Sequence, residues 1–117
     1  MKQIAIVGWR SRTDPETVER VVAKLPADTV IVPGERRGPD TWAEEAARKH
    51  GLAVEVFRPD LEGAGTQGQV TRRYHNRNQQ IVDAADEVIA LVAPNRRGGT
   101  EDTIRRAQRK GIPVTVL

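Results

Sequence analysis

The chain contains no cysteine, so neither a disulfide framework nor a thiolate metal site is open to it. With only His50 and His75, a histidine-rich metal site is excluded as well, and no metal is expected. Aromatic residues make up 3% of the chain, and Trp9, Trp42, Phe57 and Tyr74 are too few to build a base-stacking platform for single-stranded nucleic acid. No apolar run approaches the length of a membrane span. Met1-Lys2-Gln3 leads straight into Ile4-Ala5-Ile6-Val7, too short for the apolar core of a signal peptide, so a cytoplasmic protein with no membrane partner is expected. What is present is 117 residues, 38% hydrophobic and 30% charged, which fits one soluble globular domain spanning 1–117. The net charge of +3 is carried mostly by arginine, a side chain suited to planar, bidentate binding of phosphate or carboxylate. Where the arginines fall therefore matters more than their number.

Ile4 to Val7 is a short, wholly apolar run and reads as a central strand. Asp14 followed by Pro15 reads as an N-cap and first helical residue, and Val18, Val21, Val22 and Leu25 carry helical spacing to about Lys24. Thr29 to Val32 is the second strand, followed by the glycine-rich turn Pro33-Gly34-Glu35-Arg36-Arg37-Gly38-Pro39. Asp40 or Thr41 caps a second helix, Thr41 and Glu44 matching a capping box, and Gly51 ends it. Ala53 to Phe57 is the third strand. The segment 58–69 is then a long loop with three glycines and few apolar residues. Loops of this length in small domains are often functional, and whether this one closes over a ligand is a question for the structure. A third helix runs from about Val70 to Ala84 with Tyr74, Ile81 and Val82 inward, and Val88 to Val92 is the fourth strand. The turn Pro94 to Gly99 leads into a fourth helix capped by Thr100 and ending at Lys110, with Gly111 and Pro113 beyond it. Val114 to Leu117 is the fifth strand. The alternation predicts an α/β Rossmann-like three-layer sandwich, a five-stranded parallel sheet with four helices.

In such a sheet every loop leaving a strand's carboxyl end lies on one edge, where ligands bind. Those loops hold Arg10, Arg12, Arg36, Arg37, Arg96 and Arg97, while Arg72, Arg73 and Arg77 lie near the start of the third helix. The turns at the opposite edge (25–28, 51–52, 85–86 and 111–112) hold no arginine. This one-sidedness predicts an electropositive edge of glycine turns and helix N-termini suited to a phosphorylated ligand.

The order of the turns resembles the SLOG superfamily and, within it, the small YspA-like proteins, over nearly the whole chain. The residues that carry the resemblance are Gly8-Trp9-Arg10, where the family has Gly-Ser-Arg, and Gly34-Glu35-Arg36-Arg37-Gly38-Pro39-Asp40 followed by Ala43. Further along come Phe57-Arg58-Pro59-Asp60, then Arg77-Asn78 with Ala85-Asp86, and finally Gly99-Thr100. The resemblance implies a Rossmann-like domain that binds a nucleotide or nucleotide-derived ligand, of the ADP-ribose, NAD or nucleoside monophosphate type, with no cofactor required. It also implies a homodimer, to which Trp42 adds weight as a large aromatic in an otherwise small and polar helix.

The expected ligand shell is Gly8, Arg10, Gly34, Arg36, Gly38, Arg97, Gly98, Gly99 and Thr100. The glycines would admit a phosphate to the backbone, Thr100 would donate, and the arginines would neutralise charge. Trp9 either stacks on a base or folds onto the core, and Asp40 either accepts from a ribose hydroxyl or merely caps a helix. Arg77 and Asn78 either close the site or lie on a solvated helix face. Some relatives resemble the LOG phosphoribohydrolases, which cleave the N-glycosidic bond of nucleoside monophosphates, and others the DNA-processing A proteins, which bind single-stranded DNA. The LOG-type signature Pro-Gly-Gly-x-Gly-Thr-x-x-Glu, aligned on Gly99-Thr100, puts Arg96-Arg97 at its paired glycines and Thr103 at its catalytic glutamate. Glu101 is out of phase and Glu35 lies on a neighbouring turn, so these are weak catalytic candidates and binding is favoured over hydrolysis. Nucleic acid is the less favoured partner.

Overall fold

The computed structural model describes residues 2–9, 11–34 and 39–117, the side chains of Pro39 and Asp40 excepted. The order of elements is β1 (Gln3–Gly8), α1 (Pro15–Ala23), β2 (Val30–Pro33), α2 (Pro39–Lys49), β3 (Ala53–Val54), α3 (Gln67–Ala84), β4 (Glu87–Leu91), α4 (Gly99–Lys110) and β5 (Val114–Val116). All strand pairs are parallel and the sheet order is β3-β2-β1-β4-β5. The expected five-stranded parallel sheet with four helices is the fold observed.

Strand alternation sorts the core into two layers. Ile4 and Ile6 of β1 point to one face with Ile31, Ile89 and Leu91, and there meet Val18 and Val22 of α1 and Ala43, Ala46 and Ala47 of α2. Ala5 and Val7 point to the other, with Val32, Val88 and Ala90, and meet Ile81 and Val82 of α3 and Ile104 and Ala107 of α4. Each large apolar side chain so buried contributes about 1.5–3 kcal/mol. A sheet covered on both faces explains why β1, β2 and β4 read as continuous apolar runs.

Several boundaries differ from expectation, each for a local reason. β3 has only two residues because it is an edge strand. Glu55 still donates its N–H to the Ile31 carbonyl at 2.9 Å, but Phe57 leaves the ladder and packs on the α3/α4 side. α2 begins at Pro39, so Thr41 and Glu44 lie inside it, and Glu44 pairs with Arg48 at 2.8 Å rather than closing a capping box. α3 begins three residues early, at Gln67, through a different capping box. Thr66 Oγ1 accepts from the Gln69 N–H at 3.2 Å, and Gln69 Oε1 accepts from the Thr66 N–H at 3.1 Å. α4 begins at Gly99 with Gly98 at the N-cap, so Thr100 lies within the first turn and does not cap it. Asp14 holds the N-cap position of α1, but its carboxylate accepts from Arg12 instead (2.9 and 2.7 Å).

The helix ends on the far edge are closed tightly. Gly111, with φ 84°, ends α4, its N–H reaching the Ala107 and Gln108 carbonyls. Lys110 Nζ donates to the carbonyls of Val82, Asp83 and Ala85 at 2.8, 3.0 and 2.9 Å, satisfying the last turn of α3 from the neighbouring helix. Trp42 is partly buried, packed against the α1/α2 core, and is not a fully exposed aromatic. No described helix is long and apolar enough to cross a membrane.

Candidate functional site at the switch point of the sheet

Strand order reverses direction between β1 and β4: α1 carries the chain from β1 to β2 on one side, and α4 carries it from β4 to β5 on the other. The loops after these two strands therefore part, and a crevice opens between them. Here it is a cavity of about 700 Å³. Three elements wall it. The end of β1 contributes Val7, Gly8 and Trp9, with Gly34 from the end of β2 beside it. The turn before α4 contributes Arg97, Gly98, Gly99 and Thr100. One stripe of α3 closes the third side with Gln67, Thr71, Tyr74 and Asn78, spaced by three and four residues. The Trp9 N–H donates to the Leu91 carbonyl at 2.9 Å, which ties the β1 loop to β4 at the floor of the crevice.

The turn before α4 is shaped by its backbone. Arg96 is left-handed at φ 55°, and Gly98 has φ 107° and ψ −166°, a region open only to glycine. Gly98 at the N-cap has no side chain to bond the first N–H groups of α4. Those N–H groups and the positive end of the helix dipole stand beside the cavity, and Gly99 has nothing within 4 Å of where a Cβ would sit.

The arginines of this edge divide by what they hold. Arg12 is structural: besides Asp14, its Nη1 donates to the carbonyls of Val92 (3.1 Å) and Leu117 (2.9 Å), strapping the β1 loop to the ends of β4 and β5. The Arg12 hydrogen bonds hold the Asp14 carboxyl well below its ordinary range, at about 2. Arg73 donates to the Asp60 carbonyl at 3.0 Å and lies 3.7 Å from its carboxylate, so the loop 58–66 is fastened to α3. Arg96 donates to Glu101 Oε2 at 2.9 Å. Arg97 is exposed and lines the cavity, and Arg77 lines it while 7% exposed.

Of the expected site residues, Gly8, Trp9, Gly34, Arg77, Asn78, Arg97, Gly98, Gly99 and Thr100 are brought together around one cavity. Trp9 stands at its rim, 37% exposed rather than folded onto the core. Arg77 and Asn78 are buried, not on a solvated face. Arg10, Glu35, Arg36 and Gly38 lie outside the described residues, as does the Asp40 side chain. Glu101 is held by Arg96 and is not part of the cavity wall.

Among the wall residues that sequence reasoning missed are Gln67, Thr71, His75 and Thr103, and it also missed a buried carboxylate behind the wall, Asp102. The helical spacing of 67, 71, 74 and 78 was the available signal for the first two. Asp102 Oδ2 accepts from Arg106 Nε at 2.8 Å and from Asn78 Nδ2 at 3.1 Å, and Arg106 Nη1 donates to Gln79 Oε1 at 2.9 Å. Burial alone would push the Asp102 carboxyl up. The hydrogen bonds from Arg106 and Asn78, with the nearby charges of Arg106 and His75, outweigh it and hold the group below the ordinary aspartate value.

No protein-family model matches the chain. Among solved structures it is similar to DNA processing protein A (DprA) from Streptococcus pneumoniae, with a TM-score of 0.82 and 24% identity over 99% of this chain and 50% of that one. The chain thus spans about half the length of that protein. It is also similar to the C-terminal domain of PF1911 hydrogenase from Pyrococcus furiosus, with a TM-score of 0.54 and 13% identity over 98% of this chain and 89% of that one. At these identities the likeness is one of fold, a Rossmann-like α/β sandwich with a five-stranded parallel sheet. In sequence, the chain is 33% identical over 123 residues to the Gene 61 protein of Mycobacterium phage D29, an alignment that takes in 97% of this chain and 94% of that protein. On that similarity and coverage, the chain belongs to the family of the phage D29 Gene 61 protein.

Proposed function

We propose that the cavity binds a phosphorylated, nucleotide-type small molecule, with its phosphate at the N-terminus of α4 and its base toward Trp9. One observation carries this reading: a helix N-terminus capped only by glycine opens into a switch-point cavity that Arg97 and Arg77 also line. The two arginines suit an anion, and Thr103, not a carboxylate, stands where the LOG-type signature has its glutamate, which supports holding a ligand over hydrolysing it. The reading takes the protein as a cytoplasmic sensor or carrier on the pattern of the YspA-like proteins, needing no further cofactor and acting as a homodimer. Light scattering tests the last point.

Calorimetry with AMP, ADP-ribose and NAD tests binding. Saturable heat with at least one of them, reduced by Arg97→Glu, is expected. No heat with any of the three overturns the proposal.

A second reading, single-stranded nucleic acid lying across the same edge, draws on two observations: the fold is shared with a DNA processing protein, and Trp9 is exposed at the rim. It requires oligonucleotide affinity that falls steeply with salt. Affinity for AMP but not for oligonucleotides dismisses it.

A further inference from the structure

Asp102 stands behind the cavity wall, in the first turn of α4, and reaches the cavity through one side chain. An ionised carboxylate offers only acceptors. Asn78 must therefore turn its NH2 group to Asp102 Oδ2, which it meets at 3.1 Å. That choice sends Asn78 Oδ1 the other way, where it accepts from Arg77 Nε at 3.2 Å. With its NH2 turned the other way round, Asn78 would face the Arg77 N–H with a second donor and the contact would be lost. Arg77 lines the cavity, with its guanidinium carbon 5.7 Å from the centroid of the Tyr74 ring.

We propose that Asp102 is a positioning residue: by fixing which way Asn78 faces, it holds the Arg77 guanidinium at the cavity and so sets a preference for anionic over neutral ligands. The proposal rests on the reading of the cavity as a site for phosphorylated nucleotides. Arg106 has a separate part. Its hydrogen bond to the same Oδ2 keeps the carboxylate in place and ionised, which favours the acceptor-only state the arrangement needs.

The test separates charge from orientation. Asp102→Asn can keep an oxygen where Oδ2 lies, so Asn78 and Arg77 stay as they are although the ion pair with Arg106 is lost. Asp102→Ala removes the acceptor and frees Asn78 to turn. Two quantities are read: the ratio of affinities for AMP and adenosine, and the Arg77 Nε–H resonance in nitrogen-15 spectra of the ligand-free protein. In Asp102→Ala the AMP preference falls about tenfold, the scale of one lost hydrogen bond to a charged group, and the resonance broadens through solvent exchange. In Asp102→Asn both stay near wild type even though the protein is less stable. A merely structural role predicts instead that both variants lose stability while the AMP-to-adenosine ratio stays fixed, and that result overturns the proposal. So does an unchanged Arg77 resonance in Asp102→Ala. Should Asp102→Ala not fold, Asn78→Leu leaves Asp102 with Arg106, removes the same acceptor from Arg77 and carries the same expectation. If the wild-type protein binds neither AMP nor adenosine, the reading of the cavity fails, and the resonance by itself decides the role of Asp102.

Discussion

Gly98 and Gly99 are neighbours in one turn, yet their substitution by alanine should have opposite consequences. Gly98 has φ 107° and ψ −166°, and nothing lies within 4 Å of its would-be Cβ. The obstacle at Gly98 is thus backbone strain, not space, and holding alanine in that region costs about 1–3 kcal/mol. With a urea slope of about 1–3 kcal/mol/M, Gly98→Ala should lower the unfolding midpoint by about 1 M. Gly99 is the first residue of α4, has an ordinary φ and also has open space around it. Alanine there is neutral or gains up to about 1 kcal/mol in helix propensity. Gly99 lines the cavity, so on the proposed reading a new methyl group there obstructs the approach of a phosphate to the backbone. Gly99→Ala should therefore keep its urea midpoint and lose at least about tenfold in AMP affinity, the scale of an overpacked contact. Paired urea titration and calorimetry on the two variants make the comparison. An unchanged midpoint in Gly98→Ala would refute the strain argument, and undiminished AMP binding by a folded Gly99→Ala would refute the placement of the phosphate.

The remaining expectations concern the frame around the site. Lys110→Met removes the donor shared by three carbonyls at the end of α3 and should cost about 1–2 kcal/mol, read by urea unfolding; a loss below about 0.3 kcal/mol would mean that water replaces the ammonium without cost. Asp14 and Asp102 both have carboxyls held below their ordinary values, Asp14 at about 2. Their contribution to stability is complete above the unfolded aspartate pKa of about 4 and is lost as pH falls through the folded values, so stability should drop between about pH 4 and pH 2. Asp14→Asn should flatten that drop, and an acid profile identical to wild type would show that the Arg12 contact does not survive in solution. Trp9→Ala should leave the unfolding free energy within about 0.5 kcal/mol of wild type, since the ring is 37% exposed, while AMP should quench the fluorescence of the wild-type protein but not that of the variant.

Much of the fold is legible from local chemistry. The runs Ile4–Val7 and Val88–Val92 are apolar at every position because their strands are covered on both faces, and Gly111 with Pro113 marks the end of α4 without ambiguity. The boundaries that shifted did so where two local signals competed. Thr66 and Gln69 form a capping box, but the neighbouring glycines at 65 and 68 read as loop. Thr41 and Glu44 have capping-box spacing, but Pro39 starts the helix earlier. At Gly98 and Thr100 the hydroxyl looked like the cap, whereas the positive φ of the glycine gave the chain its turn into α4.

The sequence by itself determined the alternation of elements, the loops in which glycines and arginines fall, and about half of the residues that meet in the cavity. These follow from short-range rules, the two-residue period of a strand, the turn chemistry of glycine and the right-handed crossover, which operate within one βαβ unit. Tertiary structure alone decided what the described arginines do. Arg12 bonds to a carbonyl 105 residues away, and Asn78 meets Asp102 across 24 residues, separations over which no sequence period runs. Arginines look alike in sequence. Packing α3 against α4, and the ends of β4 and β5 against the β1 loop, turns Arg12 and Arg106 into fixed parts of the frame and leaves Arg77 and Arg97 at the cavity.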